Sequence, residues 1–155
     1  MKPLLLLSIF ATLSLSFITT SCQKDDDNGD LYGMWQLMEK STQKNDSNSI
    51  TEEQKAKQIY WSFQLKLMNI RATNYTNGVL EQGILAHFKQ KGDSLFIENI
   101  YQNTRYNDTI LSDSKILMLE PAGIINRRTS FKIDHLSAKK LVLSSTYCKL
   151  IFRKF

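Results

Sequence analysis

Cysteine, proline, glycine and histidine are all scarce in this chain, with two cysteines, two prolines, six glycines and two histidines among 155 residues. Two cysteines cannot build the disulfide framework of a small secreted scaffold. His87 and His135 lie far apart, and no closely spaced set of Cys, Asp and Glu accompanies either, so the three or four ligands of a zinc site are not in view. The chain also lacks a Gly-x-Ser-x-Gly elbow, a phosphate-cradling glycine loop and a dinucleotide fingerprint. Asp134-His135 is the one pair that invites a catalytic reading, but neighbours on a strand point to opposite faces. No enzyme, no metal and no cofactor are therefore expected. Long apolar runs are missing too, since none reaches the ~20 residues of a membrane-spanning helix.

A shorter apolar run is present at the start. Lys2 gives a positive beginning and Leu4 to Ile18 follow with small and hydroxyl residues interleaved, the layout of a secretory signal peptide. Thr19-Thr20-Ser21-Cys22 resembles a bacterial lipobox, with Thr19 where leucine is usual. That resemblance implies removal of residues 1–21 and a diacylglyceryl group on the Cys22 thiol. Gln23, Lys24, Asp25, Asp26 and Asp27 are similar to the export signal of Bacteroidota lipoproteins, which implies transfer to the outer face of the outer membrane. Read instead as a solvated tether, the same acidic run leaves the anchor facing the periplasm. Either way the membrane is a partner, because each buried methylene of the lipid contributes ~0.8 kcal/mol. Residues 22–30, with Asn28-Gly29 near their end, read as the lipidated, flexible tether. Only Cys148 is then left as a free thiol, and its alternation with Leu150 and Phe152 marks it as buried and inert.

Residues 31–155 alternate repeatedly between apolar and polar. Trp35, Leu37 and Glu39 share one face of a first strand, and Thr51 to Lys57 predicts one or two helical turns. The strongest alternation is Ile59 to Arg71, where Trp61, Phe63, Leu65 and Leu67 oppose Tyr60, Ser62, Gln64 and Lys66, predicting a single half-buried antiparallel strand. Val79 to Gln90 alternates through Ile84, Ala86 and Phe88 with Gly83 at a bulge. Lys91-Gly92-Asp93 then turns the chain into Ser94 to Tyr101, so residues 83–101 predict a hairpin. Thr109 to Leu111 and Lys115 to Leu119 read as short strands. Ser130 to Asp134, Lys140 to Ser144 and Cys148 to Arg153 read as three more. About eight short strands with turns between them predict an all-β domain, an antiparallel up-and-down barrel or a sandwich.

Gly33-Met34-Trp35 is similar to the Gly-x-Trp signature of lipocalin-like barrels, and the Phe-rich last strand is similar to theirs. The later Thr-Asp-x-x-Tyr pattern of conventional lipocalins is absent, so the resemblance is to the lipocalin-like domain of small bacterial surface lipoproteins. It covers residues 31–155 and implies a single antiparallel lipocalin-like (calycin-type) barrel of about eight strands. It also implies that Trp35 plugs the closed end, beneath Arg153 or Lys154. Trp35, Trp61, Phe63, Leu65, Ile84, Phe88, Leu95, Ile97, Leu141 and Leu143 are the residues expected to line the barrel.

Eight strands enclose either packed side chains or one small ligand. Two functions follow: a lipoprotein that binds a small apolar or amphiphilic molecule, or a non-enzymatic interaction module of a cell-surface complex. The 20 basic against 15 acidic residues bear on solubility before they bear on a partner. Lys139, Lys140, Lys149, Arg153 and Lys154 gather near Tyr147 in sequence, but lysines on antiparallel strands also guard against edge pairing. With the cell surface a poor place for such a module, no nucleic-acid partner is expected. Asp93-Ser94-Leu95 and Asp108-Thr109-Ile110 resemble the three-residue O-glycosylation sites of secreted Bacteroidota proteins.

Overall fold

The computed structural model describes residues 28–45, 48–104 and 109–155. The expected signal peptide 1–21, the expected lipid attachment at Cys22 and the expected export sequence 23–27 lie outside the described residues. Ten strands make one antiparallel sheet: β1 (Gly33–Asn45), β2 (Asn48–Glu53), β3 (Ile59–Gln64), β4 (Leu67–Ala72), β5 (Ile84–Lys91), β6 (Ser94–Gln102), β7 (Thr109–Ile110), β8 (Thr129–Leu136), β9 (Lys140–Ser144) and β10 (Cys148–Lys154). Pairing of β10 with β1, Trp35 opposite Lys154 through to Thr42 opposite Cys148, closes the sheet.

The ten strands form eight staves. The lower half of β1 pairs with β3 and its upper half with β2, so β2 and β3 are one descending stave broken at residues 54–58. A 3₁₀ turn, Lys55–Lys57, fills that break, and β7 pairs only with β6 as a side branch. The result is an all-β protein with a closed eight-stranded antiparallel barrel. Its lower end carries Trp35 and the β3–β4, β5–β6 and β8–β9 turns. Its upper end carries the β9–β10 turn and two short helices, α1 (Gly78–Gln82) and α2 (Asp113–Leu117).

Local deviations from strict alternation decide which side chains face inward. Residues 59–71 are two strands, not the single strand expected: Gln64 pairs with Leu67 across a two-residue turn, Leu65-Lys66, with Leu65 at φ 54°. Opposed residues share a face, and Phe63 sits opposite Met68, so the inward parity switches from odd (Ile59, Trp61, Phe63) to even (Met68, Ile70, Ala72). Leu65, expected to line the barrel, is 60% exposed on the turn, and Leu67 also faces water. A second switch occurs in β1, where the register with β10 slips between Leu37 and Glu39. One bulged residue turns the following side chains over. Glu39, expected beside Trp35 and Leu37, is exposed, and Lys40 is buried instead.

Three more expectations are corrected. Thr51 to Lys57 is strand followed by a single 3₁₀ turn rather than helix. Val79 to Gln82 is helical because the Asn77 side chain accepts from the Val79 and Leu80 N–H groups, and Gly83, at φ 83°, terminates α1 rather than making a strand bulge. Lys115 to Leu119 is not a strand either. Ile116 and Leu119 are buried while Leu117 and Met118 are exposed, a spacing of three that suits α2 and its continuation. The hairpin of β5 and β6 and the three closing strands β8, β9 and β10 form where their alternation places them.

Candidate functional site

The barrel interior is the first place to look. Trp35, Trp61, Phe63, Ile84, Leu95, Ile97, Leu141 and Leu143 are at most 1% exposed and Phe88 is 6% exposed. Their rings pack on one another: Trp61 lies 5.1 Å from Phe152, 5.7 Å from Phe131 and 6.2 Å from Phe63, and Phe63 lies 5.0 Å from Phe88. Such tilted and edge-on pairs are the stable arrangement of aromatic quadrupoles. Phe131 and Phe152 therefore belong to the central cluster, as their alternation in β8 and β10 would have indicated. Among the described residues, two buried side-chain polar atoms have no protein partner, Trp61 Nε1 and Gln54 Oε1.

At the lower end Trp35 Nε1 donates to Leu31 O at 2.9 Å, which ties the plug to the 3₁₀ turn Gly29–Leu31. Lys154 Nζ sits 4.3 Å above the Trp35 ring and donates to the carbonyls of Asp30 and Tyr32. Burial pushes the Lys154 ammonium below its ordinary pKa, and the nearby Asp30 charge opposes that shift. Of the two basic residues considered for the plug, Lys154 takes the position. Arg153 instead donates to Gln36 Oε1 at 3.1 Å.

The upper mouth is closed by the chain between β7 and β8. Leu111, Ile116, Leu119, Ala122 and Ile124 are buried there. Lys40, turned inward by the β1 bulge, donates through Nζ to Glu120 Oε1 at 2.5 Å and to Glu120 O at 3.1 Å. Tyr147 donates to the same Oε1 at 2.5 Å, and Asn77 Nδ2 donates to Met118 O at 2.8 Å. Partial burial raises the Glu120 pKa, but the Lys40 and Tyr147 hydrogen bonds and the Lys40 charge outweigh it and hold the carboxyl below its ordinary value. Desolvation and the Glu120 carboxylate push the Tyr147 hydroxyl up to about 12. Cys148 is buried beside this cluster, donating to Gly123 O at 3.7 Å, and burial raises its thiol pKa. A thiol that is both buried and protonated is a poor nucleophile. The arrangement can fasten a lid across the mouth.

The outer face carries two shallow adjoining grooves of about 470 and 460 Å³. They share Ser144 and Ser145. A row of opposed outward residues crosses them: Lys91, Ser94, Lys132, Ser144, Lys149, Ser41 and Thr51, with Phe96 exposed beside it. From Lys91 to Ser41 ammonium and hydroxyl groups thus alternate from stave to stave, and Thr51 sets a second hydroxyl 2.8 Å from that of Ser41. Phe96 was not among the expected site residues, because alternation marks it only as outward.

The histidines are not brought together. His87 Nδ1 is 3.3 Å from Asn99 Nδ2 and its ring is 5.8 Å from Tyr101, whereas His135 Nε2 is 3.3 Å from Ser137 Oγ. Asp134 lies 3.8 Å from Lys132. Among the described residues no three of His, Cys, Asp and Glu converge as a metal site would need. Lys139 and Lys154 meet at the lower end, while Tyr147 points into the upper mouth, so the basic residues near the chain's last strand share no single face with it. Ser94 is half-buried at a groove, and Asp108 lies outside the described residues.

A closed antiparallel barrel of eight staves, plugged at one end by a tryptophan beneath a lysine of the last strand, is a lipocalin-like barrel. The chain belongs to the lipocalin-like domain family, whose model matches residues 15–155. It is similar to the crystal structure of a lipocalin-like protein from Bacteroides uniformis ATCC 8492, with 23% identity and a TM-score of 0.58, over 82% of this chain and 100% of that one. It is also similar to the crystal structure of an uncharacterized protein from Bacteroides eggerthii DSM 20697, with 22% identity and a TM-score of 0.55, over 81% of this chain and 99% of that one. Identities this low establish the likeness of fold and no more. No curated protein matches this chain.

Proposed function

We propose that this protein is a non-enzymatic lipoprotein, held on the bacterial outer membrane by lipid on Cys22 and exported to its outer face. On this reading the barrel is an interaction module that holds a partner in a cell-surface complex through its outer face. One observation carries the choice over a ligand carrier: Trp61, Phe63, Phe88, Phe131 and Phe152 pack on each other inside the barrel, with ring centroids 5.0–6.2 Å apart. A small-molecule site normally needs some 300–1,000 Å³ of concave space, and here grooves of that size lie outside, across β6, β8, β9, β10 and β1. Their hydroxyl and ammonium lining, with Phe96 as an apolar anchor, suits a polar partner surface.

The carrier of a small apolar or amphiphilic molecule is the second reading. Trp61 Nε1 and Gln54 Oε1 favour it, because buried polar atoms without a partner are rare and either could hold a ligand's polar group. Organic extraction of the protein purified from membranes, followed by mass spectrometry, separates the two. An interaction module yields no stoichiometric small molecule, and a photo-cross-linker at Phe96 in intact cells gives one discrete adduct. A stoichiometric apolar compound without such an adduct would sink the proposal and restore the carrier.

A further inference from the structure

Among the described residues, five of the ten most exposed large apolar side chains lie toward the lower end of the barrel: Tyr32, Met34, Leu65, Leu67 and Phe155, the last with one ring edge against Tyr60 at 5.2 Å. Hydrogen bonds tie them into one neighbourhood. Asn28 Nδ2 donates to Leu65 O at 2.8 Å, the Phe155 N–H donates to Met34 O at 2.8 Å, and Lys154 joins Asp30 and Tyr32. Leu65 is 60% exposed in a left-handed conformation, at a turn position where glycine is the usual residue. Backbone preference does not ask for leucine there. Lys66 follows it at the turn's tip.

The chain leaves the fold at the same place. Asn28, which bonds to Leu65, is six peptide steps from Cys22, and at ~3.5 Å per residue the tether spans at most ~20 Å. A lipidated Cys22 therefore holds the lower end of the barrel within ~20 Å of the bilayer. Apolar side chains interspersed with lysine and tyrosine are the composition that settles at the boundary between headgroups and acyl chains.

We propose that the lower end of the barrel is a membrane foot, in which Tyr32, Met34, Leu65, Leu67 and Phe155 rest in the headgroup–acyl boundary and Lys66 lies at the level of the lipid phosphates. The inference rests on the lipidation of Cys22. The foot stands the barrel upright, with the outer grooves to the side and the lid facing away from the membrane. It also converts a single lipid attachment into a fixed orientation, because two attachments restrict rotation where one does not.

The test uses the full lipidated protein in vesicles of phosphatidylcholine and phosphatidylglycerol. A bimane label is placed on Leu65→Cys, on Leu67→Cys as a second reporter, and on Thr146→Cys at the opposite end, where the residue is exposed. Cys148, 3% exposed, stays unlabelled in the folded chain. Phosphatidylcholine with brominated acyl chains should quench positions 65 and 67 at least about threefold more than position 146, and aqueous iodide should do the reverse. Equal quenching at both ends in protein that floats with the vesicles overturns the foot and leaves the anchor standing. Protein that does not float overturns the anchor, and the foot with it.

Discussion

Lys40 Nζ lies 2.5 Å from Glu120 Oε1, although eighty positions separate the two residues. The contact joins the first strand to the segment that closes the barrel mouth. The side chain of Lys40 is 2% exposed and that of Glu120 is 40% exposed, so a buried ammonium meets a carboxylate at the rim. Removing either partner has a different consequence, because only one of them is out of reach of water.

Glu120→Ala should destabilise the domain by about 2–3 kcal/mol, less than for a fully buried pair, because it leaves a buried charge with one carbonyl acceptor. Lys40→Met removes the charge together with its need for a partner and should cost under ~1 kcal/mol. Urea titration of both variants checks this. A larger loss for Lys40→Met than for Glu120→Ala would contradict it.

The same cluster sets a pH dependence at both ends. The Glu120 carboxyl is held below its ordinary value of 4.5, so its contribution is full above that value and is lost as pH falls through the folded value. Tyr147 is raised from 10.0 to about 12, so its contribution is full below 10.0 and is lost as pH rises through about 12. Urea midpoints followed across pH should therefore decline at both extremes. Glu120→Gln should flatten the acid limb and Tyr147→Phe the alkaline one.

Phe152→Ala tests whether the interior is filled. In a packed aromatic cluster the truncation should cost about 3–5 kcal/mol in chemical denaturation. A loss under ~1.5 kcal/mol would mean that the ring borders open space, and the ligand reading would gain.

Gly123→Ala should be among the most damaging small changes. Its φ is +88°, and an added Cβ would stand 2.7 Å from Leu150 Cδ1, inside the core. Left-handed strain and overpacking together should cost about 2–4 kcal/mol. Leu150→Ala in the same chain should relieve the clash but not the strain, so thermal denaturation of the double variant should recover only the clash component on top of the loss from Leu150→Ala itself.

Cys22→Ala should move the protein from membranes to the soluble fraction. Replacing Lys24, Asp25 and Asp26 with alanine should leave membrane association intact but reduce cleavage by protease added to whole cells. Unchanged cleavage would show that these residues do not direct export.

Much of the fold was legible because its cause is local. The alternation of Trp61 and Phe63, or of Leu141 and Leu143, marks inward faces without reference to any other part of the chain. The errors share one physical origin. A two-residue turn at Leu65-Lys66 and a bulge between Leu37 and Glu39 each invert the inward parity, and an apolar-polar pattern read along one strand does not contain the event that inverts it. Ile116 and Leu119 were misassigned for a related reason: five residues fit a spacing of two or of three equally well.

The candidate sites divide along the same line. The proposed anchor at Cys22 and the tryptophan plug are contiguous motifs, and a lipocalin-like barrel follows from strand count and signature. The Lys40–Glu120–Tyr147 fastening, the hydroxyl and lysine row, and the cluster of exposed apolar residues around Leu65 each join residues from separate staves. The sequence by itself determined the barrel and most of its inward side chains, because burial of alternating side chains is a property of each strand. Only the tertiary structure decided which lysine is buried, what closes the mouth and which end stands nearest the tether, because those depend on how many residues each turn and bulge inserts between paired strands.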